Sequence, residues 1–515
     1  MSFEQHRDLP VSLFLSRALV LVLAVYAAPV SAAEPNRPNI LLAISDDQSY
    51  PYAGAYGEQA LDTPAFDRIA REGVLFKQAF CASPGCSPSR AALLTGRHTW
   101  QLEHAGTHGS SFSAKYEVFP DLLERGGYHV GYTGKGWGPG NFKDGGRTRN
   151  PAGNPYGARK LQAPDGIAGT DYAANFRDFL DARPDDSPFY FWYGCHEPHR
   201  RYLKGAGVES GKRPADVHVP AFLPDNAEIR SDLLDYCVEI EWFDRHLGQM
   251  LELLDELGEL DNTLVIVTAD NGMPFPRAKA NCYEYGIHVP LAVRWPSRIP
   301  AGRRVDDLVG FVDFAPTILS SAGLPVPDAM SGRSFLNVLS AEGSGQVDPS
   351  RTFALAARER HSSSRYDNLA YPIRALRTPE FLYIRNFRPN RWPAGHPAGF
   401  RGDPFGYYDI DGSPSKTFLV EHQDSEEWSR YFHLAVDKRP AEELFDIRND
   451  PGNLDNLADE ARYADVKQQL RNELEEKLRE TGDPRVLDGG DVFETYRRYS
   501  RIRSFPPPAE DGSRE

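Results

Sequence analysis

The chain has 515 residues, of which 25% are charged and 40% hydrophobic, and a formal net charge of −15 at pH 7. That length suits two to three average domains, or one large α/β domain with an appendage. The acidic balance excludes a general nucleic-acid binder, which needs a basic footprint. It leaves room for an anionic substrate held by a few focused Lys and Arg in a cleft.

Residues 1–33 read as an export signal. Arg7 and Arg17 precede and enter an apolar run, ALVLVLAVYAAPV (18–30), and the small residues SAA (31–33) follow it. The run is too short to span a bilayer comfortably, and cleavage near Ala33 fits the pattern. Localisation is therefore expected to be periplasmic, extracellular or an equivalent lumen, with no membrane attachment after cleavage. The chain has five cysteines, Cys81, Cys86, Cys195, Cys237 and Cys282. An odd number in an exported protein leaves at least one unpaired, and so few cannot replace a buried core.

NILLAIS (39–45) is a continuous apolar strand ending at Asp46-Asp47. TPAFDRIAREG (63–73) carries a Thr cap, a Pro in its first turn and a Gly stop, which predicts a short helix. SPSRAALLTGR (87–97) repeats the pattern with Ser87 as cap and Pro88 in the first turn. YHVGYTG (128–134) is a strand followed by the glycine-rich KGWGPG, and PFYFWYG (188–194) is a strand running into Cys195-His196-Glu197-Pro198-His199. A helix over 227–257 is expected to bury Leu233, Cys237, Ile240, Leu247, Met250, Leu254 and Leu257 on one stripe. TLVIVTA (263–269) is a second fully apolar strand, ending at Asp270-Asn271.

Apolar strands alternating with helices predict an α/β fold, a mostly parallel sheet sandwiched by helices. Ligands in such sheets bind beyond the carboxyl ends of the strands. Asp46-Asp47, Lys135, His196 and Asp270-Asn271 all stand there. Beyond residue 350, RTFALAAR, YPIRALRT and FLYIRNF are short Tyr- and Arg-rich strands, followed by ELFDIRNDPGNLDNLA and a helical YADVKQQLRNELEEKLRE. The expected organisation is a catalytic domain over 34–350, a C-terminal α+β subdomain with an antiparallel sheet over 351–490, and a tail over 491–515 that is partly disordered.

The two acidic pairs form an oxygen-rich set that suits Ca²⁺, with Mg²⁺ the lesser alternative; each pair alone also fits a solvated turn. Arg90, Lys135, His196, His199 and Lys279 supply cations. Together these groups describe a site for a tetrahedral oxyanion undergoing phosphoryl or sulfuryl transfer. Cys86 stands before a helix, where free N–H groups and the helix dipole gather. It can be a disulfide partner of Cys81, a buried thiol or a low-pKa thiolate.

Cys86-Ser87-Pro88-Ser89-Arg90 followed by AALLTGR resembles the C-x-P-x-R signature of type I sulfatases, within the alkaline-phosphatase-like superfamily. The resemblance implies that Cys86 is oxidised to Cα-formylglycine by a formylglycine-generating or anaerobic sulfatase-maturing enzyme. It places Asp46, Asp47, Asp270 and Asn271, with the converted Cys86, around a calcium ion. It makes Arg90 the residue that orients the formylglycine, Lys135 and Lys279 sulfate-binding cations, and His196 the proton donor to the leaving group. DNGMPFP (270–276), HEPHR (196–200) and YPIR (371–374) are similar to the heparan N-sulfatase (sulfamidase) branch.

Trp137 stands where the family's G-K-x-H segment has its histidine, so another base is needed to release sulfate, and His108 in AGTHGS is the candidate. Alternatively, the Trp137 indole stacks on a sugar face. His199, His288, His361, Arg360 and Arg374 are further candidates to touch the substrate. The expected activity is removal of sulfate from a sulfated sugar or polysaccharide, first the N-sulfate of glucosamine in heparan-type glycans. The alternatives are an O-sulfatase on another sulfated polysaccharide and a non-catalytic sulfated-glycan-binding protein. A phosphoesterase of the same superfamily fits less well, because those enzymes use Ser or Thr at the cysteine position with His-rich metal sites.

Overall fold

The computed structural model describes residues 37–400 and 405–507. The export segment (1–33) and the last eight residues of the tail lie outside them. The strand Asn39–Ser45 runs through the middle of a nine-stranded sheet, fully buried. It pairs in parallel with Phe189–Gly194 on one side and Thr263–Ala269 on the other, and His129–Gly134 extends the parallel set. His288–Arg294 runs antiparallel between Thr263–Ala269 and Val74–Phe80.

Continuous apolar strands form here because both faces are covered. Successive side chains alternate between faces. Ile40, Leu42 and Ile44 join one core with Ala91–Leu94, Phe119 and Ile318, while Leu41 and Ala43 join another with Phe66, Phe176, Leu247 and Met250. Each such aliphatic or aromatic side chain taken from water contributes roughly 1.5–3 kcal/mol. The helices Cys86–Thr95, Phe119–Arg125 and Phe314–Ser321 thus cover one face. Pro64–Glu72, Tyr172–Asp181 and the long Ala227–Glu256 cover the other. The long helix buries the expected stripe except Leu257, which caps its end and is 50% exposed.

One helix start and one capping bond differ from expectation. The motif helix begins at Cys86 with Gly85 as its cap, and the Ser87 hydroxyl instead accepts from the Gly109 N–H. Thr63 makes no capping bond; its hydroxyl donates to Asp67 and accepts from the Gly54 N–H.

A second sheet, Ala354–Arg358, Ile373–Arg377, Phe381–Asn386 and Glu442–Asp446, is antiparallel throughout. Leu355, Leu376, Tyr383 and Leu444 face Leu470, Leu474 and Leu478 of the helix Ala464–Glu480. Its other face, through Ala356, Ala375, Ile384 and Phe445, merges with a core of the large sheet, so the two sheets share apolar packing. The tail segment 491–507 lies against the motif region. The Tyr499 N–H donates to Gly109 and the Ser110 hydroxyl to the Arg497 carbonyl.

Candidate active site

Four parallel strands end at one edge of the sheet, and each delivers a polar residue there: Asp46, Lys135, His196 and Asp270. In extended backbone, Asp46 and Asp47 would point to opposite faces. Asp47 instead takes φ +74°, a left-handed conformation that Asp adopts more readily than most residues. Both carboxylates therefore reach one place, where Asp46, Asp47, Asp270 and Cys86 each offer a ligand atom, all within 4.8 Å of one another.

Cys86 enters this cluster from the first turn of its helix. Its Sγ lies 3.5 Å from Asp46 Oδ1 and 3.9 Å from Asp47 Oδ1. Burial, then the Asp46 charge, pushes the thiol well above its usual pKa, so Cys86 is held as a neutral thiol rather than a thiolate. All five cysteines are free, which removes the Cys81–Cys86 disulfide.

The carboxylates are bound by an equal number of cations. Arg90 donates to Asp270 Oδ2 at 2.7 Å and to the Lys135 carbonyl at 2.7 Å. Lys135 Nζ donates to both Asp46 oxygens, at 2.7 and 2.5 Å, and Lys279 Nζ to Asp47 Oδ2 at 2.5 Å. The close pass of Lys135 depends on Gly194, where a Cβ would sit 1.9 Å from the Lys135 carbonyl oxygen. Burial alone would raise the Asp46 carboxyl, but Lys135, His199, Arg90 and Lys279 hold it well below the usual carboxylate range. Asp270, buried and beside Asp46, is pushed up to about 6.

Asn271 donates its amide N–H to Asp47 Oδ1 at 2.8 Å, while its own Oδ1 is buried without a partner among the described residues. An orphaned amide oxygen beside three carboxylates fits a hard divalent cation, which takes carboxylate and carbonyl oxygens.

The cluster opens into a cavity of about 740 Å³ whose walls include Asp46, Lys135, His196, His199, Arg200 and Glu239. His199 Nε2 stands 3.8 Å from Asp47 Oδ2. On the other side of Cys86, the rings of His108 and His361 meet with centroids 4.6 Å apart. His361 Nδ1 lies 2.9 Å from where a Cβ on Gly85 would stand, so the glycine makes room for it.

His108 and His361 do not line the cavity, and four further sequence candidates are tied up elsewhere. Trp137 is buried in the core beside Phe112, donating from Nε1 to the Ser87 carbonyl at 3.0 Å, so no face is open for a sugar. His288 is buried, stacked on Tyr50 and bonded to Glu284 and the Lys77 carbonyl. Arg374 is buried between Asp483 and Glu359. Arg360 is buried and donates to the Tyr496 carbonyl. Conversely, sequence reasoning passed over Asp411, whose Oδ2 accepts from Lys279 Nζ at 3.2 Å. It also passed over Glu239 on the long helix. Neither stands in a motif.

A family model described as Sulfatase matches residues 38–324. The chain belongs to the sulfatase family. It is accordingly a sulfuric ester hydrolase. This sulfatase is 30% identical to human N-sulphoglucosamine sulphohydrolase over 537 aligned residues, covering 93% of this chain and 95% of that one. It is 28% identical to an ulvan-active sulfatase of Formosa agariphila over 504 residues, covering 89% and 78%. Among solved structures it superposes with a TM-score of 0.63 and 21% identity on a protein described in complex with its substrate D-glucosamine-2-N,6-O-disulfate. That match covers 87% of this sulfatase and 98% of the other chain. The phosphonate monoester hydrolase of Agrobacterium radiobacter shares the fold with a TM-score of 0.61.

Proposed function

We propose that this sulfatase removes the N-sulfate of glucosamine in heparan-type glycans through a Cα-formylglycine made from Cys86, with a bound calcium ion. The observation that carries the reading is the position of Cys86, buried at a helix start within reach of Asp46 and Asp47. The similarity to human N-sulphoglucosamine sulphohydrolase over nearly the whole of both chains supports the substrate. Export, and maturation by a formylglycine-generating or anaerobic sulfatase-maturing enzyme, belong to the same reading.

Asp46, Asp47, Asp270, Asn271 and residue 86 would hold the cation, which supplies Lewis-acid charge beside the reacting sulfur. Formylglycine supplies, as its hydrate, the hydroxyl nucleophile and a route for releasing sulfate without attack of water on a sulfated enzyme. The remaining work falls to the chain's own groups. Asp46, Asp47 and Asp270 are held by Arg90, Lys135 and Lys279, and Lys279 also serves Asp411. With a divalent cation held there the site would favour an anionic sulfate, and Lys135 and Lys279 would be placed to hold its oxygens. Arg90, fixed by Asp270 and the Lys135 carbonyl, orients residue 86. His196, facing the cavity, donates the proton to the departing nitrogen. The contact of His108 with His361 beside Gly85 supports His108 as the base that stands in for the missing family histidine.

A relative described as an ulvan-active sulfatase and another described as an N-acetylglucosamine-6-O-sulfatase keep an O-sulfatase on another sulfated polysaccharide as the second reading. Mass spectrometry across the peptide containing Cys86, followed by turnover on a panel of N- and O-sulfated sugars, tests both. Formylglycine with preferential N-desulfation is expected. An unconverted thiol in protein from its own host would overturn the mechanism, and preference for an O-sulfate would overturn the substrate.

A further inference from the structure

We propose that Glu239 is a specificity-determining residue of the reaction cavity, forming a hydrogen bond to a ring hydroxyl of the sugar that carries the scissile sulfate. The inference rests on the sulfatase reading above and adds to it a contact away from the sulfate.

Glu239 projects from the long helix Ala227–Glu256 and is 3% exposed, yet it lines the same cavity as Asp46, Lys135 and His196. Its Oε2 is buried with no hydrogen-bond partner among the described residues. Buried polar atoms are nearly always satisfied, because an unmade bond is expensive. An orphan oxygen in the wall of a substrate cavity is satisfied when the substrate arrives. The cavity, about 740 Å³, falls within the roughly 300–1,000 Å³ range of ligand pockets, so there is room for a sugar beyond its sulfate.

The surroundings of Glu239 decide what it recognises. Burial, then the acidic neighbours Glu197 and Asp235, pushes its carboxyl up to about 9. It is therefore neutral at pH 7 and can donate as well as accept. Of the cations lining the cavity, Lys135 is paired with Asp46, His199 stands beside Asp47 and Arg200 is paired with Asp232. A sulfate or carboxylate placed against Glu239 would meet the acidic Glu197 and Asp235, while Arg200 is already paired with Asp232. A hydroxyl would meet a willing partner. The cavity thus joins the place of the sulfate to be cut, beside Asp46 and Lys135, to a buried acid able to bond a free hydroxyl.

The test compares the unsubstituted protein, Glu239→Gln and Glu239→Leu on N-sulfoglucosamine, on its ring-deoxy analogues and on an aryl sulfate that lacks a sugar. Aryl sulfate turnover by the unsubstituted protein checks the parent reading separately. In Glu239→Leu, kcat/KM for the sugar should fall roughly 10- to 100-fold more than for the aryl sulfate, mainly through KM. Glu239→Gln should recover most of this, and for one deoxy analogue the difference between Glu239 and Leu should vanish. Calorimetric titration of N-sulfoglucosamine into Cys86→Ser protein, with and without Glu239→Leu, reads the same contact as a Kd without turnover. Equal losses on sugar and aryl sulfate, or equal losses for every deoxy analogue, would overturn the assignment.

Discussion

Lys279 bridges Asp47 and Asp411: its ammonium stands 2.5 Å from one carboxylate and 3.2 Å from the other. Asp47 belongs to the oxygen cluster, whereas Asp411 comes from a segment 132 residues further along the chain than Lys279. The Lys279 ammonium is held charged in a buried place by these two partners, which outweigh burial and raise its pKa well above the usual value. Asp411 is thus a positioning residue. Replacing it with Asn should leave the fold intact and, if the proposed function holds, lower kcat/KM for a sulfated substrate about 10-fold, the scale of one lost charged contact to a cation of the site. A variant with unchanged kcat/KM would show that Asp47 alone positions Lys279.

Arg374 illustrates a residue whose chemistry invited a substrate role and whose surroundings give it a different one. Its guanidinium donates to both Asp483 oxygens and to Glu359, and Arg485 also donates to Glu359. Arg374→Ala strands buried carboxylates, a change that typically destabilises by roughly 3–5 kcal/mol. The expected result is an early unfolding transition in denaturant, with KM unchanged in the fraction that remains folded. A raised KM at unchanged stability would restore the substrate-binding assignment.

What could be read from sequence follows from where the signal lay. Asn39–Ser45 and Thr263–Ala269 are continuous apolar runs ended by acids, so both the strands and the polar groups beyond them were legible. Cys86 through Arg90 was legible because five consecutive positions carry one pattern. The motif helix was misplaced by its cap because Ser87 satisfies a distant N–H instead of its own turn. Asp411 and Glu239 left no local trace, since each matters only through a contact that the folded chain creates. Trp137, His288, Arg360 and Arg374 were over-read for the opposite reason: a lone aromatic, His or Arg has no periodicity that separates a buried polar partner from a ligand contact.

Trp137 is the clearest case, because it occupies a position where the family has a histidine. Its indole fills the space beside Phe112, and its N–H satisfies the Ser87 carbonyl in the first turn of the motif helix. Trp137→Phe keeps most of the volume and loses only the indole donor to a carbonyl that retains its helical bond, so a loss of roughly 0.5–1.5 kcal/mol is expected. Trp137→Ala adds a cavity and should cost about 3–5 kcal/mol. Trp137→His, which restores the family residue, should be destabilised and should not gain turnover. Denaturant unfolding of the three variants checks the order, and a His variant as stable as the parent would show that the pocket accepts the smaller ring.

His361 gives a pH signature that can be isolated by difference. Its ring is buried against His108, and the charges bearing on it are Asp409, Asp411, Lys279 and Arg358. Burial pulls its pKa down to about 3 in the folded protein. The unfolded value is about 6.5, so the unfolded chain takes up the proton first as pH falls. The contribution of neutral His361 is fully present above about pH 6.5 and is lost progressively toward pH 3, at no more than about 1.4 kcal/mol per pH unit. His361→Asn cannot titrate, so other acid-sensitive groups cancel when the two proteins are compared. Between pH 6.5 and 5 the parent should lose ~2 kcal/mol relative to the variant, measured by urea unfolding at each pH. A difference that stays constant over that range would mean that folded and unfolded chains take up the proton equally, with Asp409 and Asp411 offsetting the burial of His361.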